Sequence, residues 1–216
     1  VLAGINLRDM ELADADQHLD DGLKYNPRDL DLLSLKAAVR FLADDNAGFQ
    51  KAKQKVLKLN PQYSRMFQIN GDYAEWEHRY DEIVEMMREA IKIDSEDAKA
   101  EAQLGLNLIR AGNDKEGLQA LNSAFDKDKF NVRVFNTLNL YEETIARQYV
   151  SVQEGQFTFR YYKKEKAILE RYIPGLMRDA WKAMVKYYGF TPSQPIGVEL
   201  YADRQDFAIR TNGLPG

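Results

Sequence analysis

A chain of 216 residues with 44% apolar content can hold one large domain or two small ones and can bury a core. Its 34 acidic and 30 basic side chains leave a formal charge of -4, so no overall field draws a polyanion, and no nucleic-acid partner is expected. Cysteine is absent, which excludes disulfides, thiolate zinc sites and cysteine nucleophiles, while cytoplasm and periplasm both stay open. No run of about 18 apolar residues marks a membrane segment. Val1 already stands inside a helical pattern with no signal peptide in view, and the expectation is a chain cut at both ends.

In chain order, residues 1–24 carry Leu2, Leu7, Leu12, Ala15, Leu19 and Leu23 between acidic residues, which predicts two short amphipathic helices stopped by Asn26-Pro27. The first is expected to lack its opening residues. A second unit runs from about Leu30 to Pro61 with its turn at Asp44-Asp45-Asn46. A third covers Arg65 to Ser95, and a fourth covers Ala98 to Lys129 with its turn at Gly112-Asn113-Asp114. Two registers share a 34-residue step: the turn positions Pro27, Pro61, Ser95 and Lys129, and the small residues Ala3, Ala37, Gly71 and Gly105. Two registers agreeing on one period mark a repeat protein. Val132 to Gln148 then predicts one more helix, expected to cap the stack, so the repeat region is assigned to 1–148.

Residues 148–216 change character. They hold 12 of the 24 aromatic residues, with 10 basic against 7 acidic side chains, and the pattern turns from helical to alternating. Tyr149-Val150-Ser151-Val152 and Phe157 to Tyr161 predict a hairpin about Glu154-Gly155. A helix with Ile168, Tyr172, Leu176, Ala180, Met184 and Tyr188 at four-residue spacing follows, with a kink or restart at Pro174 and an end at Gly189. Ile196 to Tyr201 reads as a strand, and Asp203 to Phe207 as the start of a helix. Residues 149–216 are therefore expected to be a partial α+β segment, and the fold class is mainly α: an α-solenoid of antiparallel helix pairs followed by this small, incomplete segment.

The helix, small residue, turn, helix phrase at a 34-residue step resembles the tetratricopeptide repeat (TPR). The small eighth motif position is met by Ala3, Ala37, Gly71 and Gly105. The twentieth is met by Ala15 and Gly117 but filled by Phe49 and Ile83, and the large residue of position four is Leu33 or Phe67, with Glu101 departing altogether. The resemblance implies a stack with a concave face lined by the first helix of each unit, which takes a protein or peptide ligand. The lining positions carried onto this sequence are Arg65, Gln68, Asp72 and Trp76, then Lys99, Leu106 and Arg110, then Arg133 and Asn136. Arginine, lysine, amides and one tryptophan suit carboxylate pairing and aromatic burial of an extended peptide. The Lys and Asn pairs that clamp a C-terminal carboxylate in some family members are not reproduced.

Val198-Glu199-Leu200-Tyr201, Asp206-Phe207 and Thr211-x-Gly213-Leu214-Pro215-Gly216 resemble the opening portion of bacterial gluzincin-type zinc metallopeptidases. That resemblance implies a peptidase domain that often follows TPR units. Its zinc would be held by a His-Glu-x-x-His helix, which is absent here, so the segment is expected to be inert, with no catalytic residue, no metal ligand and no cofactor of its own. His18 and His78 have carboxylates at helical spacing but read as solvated residues rather than ligands. The expected function is a peptide-binding TPR scaffold recruiting for a larger zinc peptidase. The rival is a non-catalytic assembly scaffold whose C-terminal segment caps the stack, in which case deleting residues 149–216 strongly destabilises the repeats.

Overall fold

The structure, a computed structural model, describes residues 1–192 and 195–214, apart from the side chain of Asn212. It divides into two compact units, Val1–Asp128 and Lys129–Gly216. The boundary expected near residue 148 falls inside the second unit, because the helix after residue 131 packs against the C-terminal elements.

The first unit is a stack of helix pairs: α1 (Leu2–Arg8) with α2 (Leu12–Tyr25), α3 (Leu30–Leu42) with α4 (Asn46–Leu59), α5 (Arg65–Trp76) with α6 (Tyr80–Ile93), and α7 (Ala98–Arg110) with α8 (Asp114–Lys127). Each pair turns in the same way. Met10, Asp44, His78 and Gly112, one period apart, have φ of 58, 54, 55 and 87°. The residue after each donates its N–H to the carbonyl five back, Glu11 to Asn6 at 2.8 Å, Asp45 to Arg40 at 2.9 Å, Arg79 to Ala74 at 3.2 Å and Asn113 to Leu108 at 2.8 Å. This closure satisfies carbonyls that a helix C-terminus otherwise orphans, and it needs a left-handed residue at the hinge. Glycine takes that conformation freely at Gly112, aspartate tolerates it at Asp44, and Met10 and His78 take it at a cost of about 1 kcal/mol each.

The second helix of each of the first three pairs ends on a matching device. Asn26, Asn60 and Asp94 accept from the N–H groups of Arg28, Gln62 and Glu96 at 3.3, 3.0 and 3.0 Å. This Asx turn is why the rung of the period is Asn or Asp followed by a turn residue. α3 and α7 then start on a cap: Asp29 accepts from Leu32 N and Asp97 from Ala100 N, both at 3.0 Å. Such caps stabilise a helix start by about 1 kcal/mol.

Between helices, the small ladder is buried as expected at Ala3, Ala37, Gly71 and Gly105. Phe67, Met66, Ile83, Met87 and Leu121 are essentially inaccessible around it. Asn70, also buried, donates from Nδ2 to Met66 O at 2.7 Å and to Ser34 O at 3.3 Å, which ties α5 to α3. Glu101, the departure from the apolar motif position, is 12% exposed and pairs with Lys127 at 2.9 Å while Ser123 Oγ donates to it at 2.9 Å. A charge pair to α8 thus stands where the other units use an apolar contact.

The second unit has its own core. Asn131 caps α9 (Val132–Asn139), which runs on through a π-helical turn (Leu140–Ile145) into α10 (Ala146–Gln148). β1 (Tyr149–Glu154) and β2 (Phe157–Tyr162) form the antiparallel hairpin, closed through Gly155 at φ 58°. β3 (Ile196–Leu200) pairs parallel to β2, giving the order β1-β2-β3. Between them lie α11 (Lys166–Leu169) and α12 (Ile173–Tyr188); the chain restarts a helix with Pro174 in its first turn, where a missing N–H costs nothing. Phe157, Phe159 and Tyr161, alternate residues of the central strand, are 2%, 1% and 1% exposed and pack with Leu169, Ile173, Met177 and Trp181. Asp203 caps α13 (Arg204–Asn212), accepting from Gln205 N at 2.6 Å. Glu199 of β3 pairs with Arg160 of β2 and Arg210 of α13, each at 2.6 Å, and so fastens α13 to the sheet.

Candidate functional site

α5 presents two faces. Met66, Phe67, Asn70, Gly71 and Ala74 turn into the stack, while Arg65, Ile69, Asp72, Tyr73 and Trp76 follow the helical spacing of the other face. Together with Arg8 of α1 and Asp31 and Leu35 of α3, these residues line a cavity of about 310 Å³. Leu35, Ile69, Tyr73 and Trp76 supply its apolar wall. Trp76 is 68% exposed, a large area for an indole on a packed helix. Of the nine expected ligand residues, Arg65, Asp72 and Trp76 meet here.

The charges of this face are arranged in pairs between successive repeats. Arg65 Nε lies 3.0 Å from Asp31 Oδ1, two residues that occupy the same repeat position. Tyr63 also donates its hydroxyl to Asp31. The Tyr63 hydrogen bond, and then Arg65, hold the Asp31 carboxyl below the usual range, while burial and the Asp31 charge push the Tyr63 phenol up to about 12. At neutral pH the phenol stays a donor and the carboxylate an acceptor. Lys99 of α7 lies 3.5 Å from Asp72, which Gln103 also donates to. Arg110 pairs with Glu75 at 2.6 Å and lies over the Tyr80 ring.

These pairs give the expected residues a different role from free ligand contacts. Arg65, Lys99 and Arg110 are already engaged by carboxylates of the preceding repeat, and the exposed pairs at Arg65 and Lys99 each add about 0–1 kcal/mol to the stack. Gln68 is 8% exposed and donates to Asp97, the cap of α7, so it ties α5 to the next unit. Leu106 is half-buried on α7. Arg133 and Asn136 belong to the second unit, where Asn136 donates to Gly213 O at 3.1 Å and Arg133 packs so closely on Gly213 that a Cβ there would stand 2.0 Å from its Cγ.

Arg8 was not among the expected residues, and its guanidinium has no ion pair or hydrogen-bond partner among the described residues. A signal for it does exist: Arg8, Trp76 and Arg110 share one repeat position, so the register that selects Trp76 selects Arg8 two units earlier.

Elsewhere, the aromatic residues Tyr161, Tyr162, Tyr187, Tyr188 and Phe190 of the second unit divide. Tyr161 is core, whereas Tyr188 and Phe190 rim a cleft of about 330 Å³ with Phe157, Met177, Trp181 and Met184, almost wholly apolar. His18 and His78 are exposed, and His78 Nδ1 lies 2.7 Å from the Tyr80 hydroxyl. Among the described residues no group of three or more His, Cys, Asp or Glu can hold a metal ion, so the zinc implied by the peptidase resemblance has no fitting donor set in them. No helix among the described residues is long and apolar enough to cross a membrane.

No family model matches the chain, and no curated protein does. Among solved structures it is similar to a crystal structure of MamA at 14% identity and a TM-score of 0.46, covering 67% of this chain and 84% of that one. A MamA RS-1 double mutant matches at 19% identity and a TM-score of 0.44, covering 66% and 82%. YrrB, described as a TPR protein with an unusual peptide-binding site, matches at 17% identity and a TM-score of 0.41, covering 65% and 74%.

Proposed function

We propose that this chain is a peptide-binding scaffold that takes an extended segment of a protein partner along the face of α1, α3 and α5. The observation that supports this reading is Trp76, 68% exposed at the edge of a 310 Å³ cavity whose neighbouring charges are held in place by inter-repeat pairs. A preformed cavity with fixed charges and one large unburied aromatic costs little reorganisation on binding, and tryptophan is among the residues enriched where binding energy concentrates.

The test is to select peptides from a random display library on the chain and titrate them calorimetrically. Trp76→Ala is expected to weaken a selected peptide about tenfold, and Arg65→Ala to weaken it less, with helicity unchanged in both. Unaltered affinity in Trp76→Ala counts against this face as the site, and a library from which nothing is enriched counts against peptide binding.

For the second unit, the resemblance to gluzincin-type peptidases supports a further reading, that it is the opening part of a zinc peptidase domain for which the repeats recruit substrate. The order hairpin, helix, strand, helix in the second unit agrees with it. Reading the gene downstream of Gly216 tests it, and a coding sequence without His-Glu-x-x-His removes it.

A further inference from the structure

The charges of the cavity differ in how well they are satisfied. Asp31 is met by Arg65 and Tyr63, and Asp72 by Lys99 and Gln103. Arg65 and Lys99 are thereby used. Arg8, exposed at the end of α1 on the same cavity, has no ion pair or hydrogen bond among the described residues. Once the internal pairs are counted, the cavity keeps one open cation facing an apolar wall of Leu35, Ile69 and Trp76.

We propose that this cavity selects a peptide in which an Asp or Glu stands beside a large apolar residue, with Arg8 taking the carboxylate and Trp76, Leu35 and Ile69 taking the apolar side chain. The proposal rests on the peptide-binding reading above and adds what the bound segment must contain. A guanidinium presents a planar fork that matches a carboxylate in two parallel hydrogen bonds. The same site disfavours a phosphate. A dianion beside Arg8 would also face Asp31 and Asp72 on the cavity lining, whereas a monoanionic carboxylate asks for one open arginine and brings less repulsion. The apolar half supplies affinity and the arginine supplies selection, since partly exposed charge pairs discriminate more than they bind.

The experiment uses four synthetic peptide pools with randomised flanks and a fixed central pair, Glu-Phe, Gln-Phe, Glu-Ser or phosphoserine-Phe, titrated by fluorescence anisotropy into the whole chain. The Glu-Phe pool is expected to bind about fivefold tighter than the Gln-Phe pool, the range set by a partly exposed charge-assisted hydrogen bond, and also tighter than the Glu-Ser pool, which loses the apolar contact, and the phosphoserine-Phe pool, which meets Asp31 and Asp72. Arg8→Gln is expected to bring the Glu-Phe to Gln-Phe ratio to about one, and Arg8→Lys to keep part of it. Equal binding of Glu-Phe and Gln-Phe, a preference that survives Arg8→Gln, or stronger binding of the phosphoserine pool each overturns the proposal while leaving peptide binding in place. If no pool binds, both readings fall together.

Discussion

Gly105→Ala is expected to destabilise the first unit by about 2 kcal/mol, whereas Gly71→Ala, at the same repeat position, changes stability by less than about 0.5 kcal/mol or raises it. The difference lies in what faces each glycine. A Cβ on Gly105 would stand 2.8 Å from the backbone carbonyl of Gly117 and 2.6 Å from Leu121 Cγ, so α7 and α8 must move apart to admit it. A Cβ on Gly71 would meet the Cε of Met87 at 2.9 Å, the free end of a flexible side chain that can swing away. Both substitutions gain about 0.5–1 kcal/mol of helix propensity, which offsets the contact at Gly71 but not at Gly105. Across the helix pair, Gly117 is small where the preceding repeat has Ile83. Thermal unfolding followed by circular dichroism distinguishes the two, with a fall of roughly 5–10 °C for Gly105→Ala. Equal shifts would mean that α7 and α8 do not pack backbone to backbone.

Lys127→Ala should cost about 1–3 kcal/mol, and Glu101→Leu should be neutral or stabilising by up to about 1 kcal/mol. Removing the lysine leaves the Glu101 carboxylate, 12% exposed, with only the Ser123 hydroxyl. Removing the glutamate restores the apolar residue that this repeat position carries elsewhere. Lys127, 23% exposed and also donating to Ser95 O, keeps a partner of its own. Urea denaturation of both variants checks this. A larger loss in Glu101→Leu than in Lys127→Ala would mean that the pair contributes more than an apolar contact.

Much of the first unit was legible because its period is written in residues that do local work. Asn26, Asn60 and Asp94 close Asx turns and Asp29 and Asp97 cap helices, each on a residue two or three places away, while Gly71 and Gly105 let the two helices of a pair approach closely. The use of the charged residues was less legible because it depends on neighbours a repeat away. Arg65 reads as an open cation until Asp31 is placed beside it, and Arg110 until Glu75 is. Opposite charges at one repeat position in successive units, as at Asp31 and Arg65, were the available sign of a pair. Helix Val132–Asn139 continues the period in sequence, yet its Asn136 is spent on Gly213, a partner 77 residues away that periodicity does not predict. His78 illustrates the reverse case, a residue whose chemistry drew notice but whose position is explained by backbone closure at φ 55°.

The central claim, that an extended peptide lies on the face of α1, α3 and α5, is tested most directly through Trp76. The only other tryptophan is Trp181, partly buried against the sheet of the second unit, so a Trp181→Phe variant leaves a single reporter. Adding a selected Glu-Phe peptide should shift the Trp76 emission to shorter wavelength and reduce its quenching by acrylamide, with a midpoint equal to the calorimetric dissociation constant. Saturable calorimetric binding with the emission and quenching of Trp76 unchanged would place the peptide elsewhere and contradict the account.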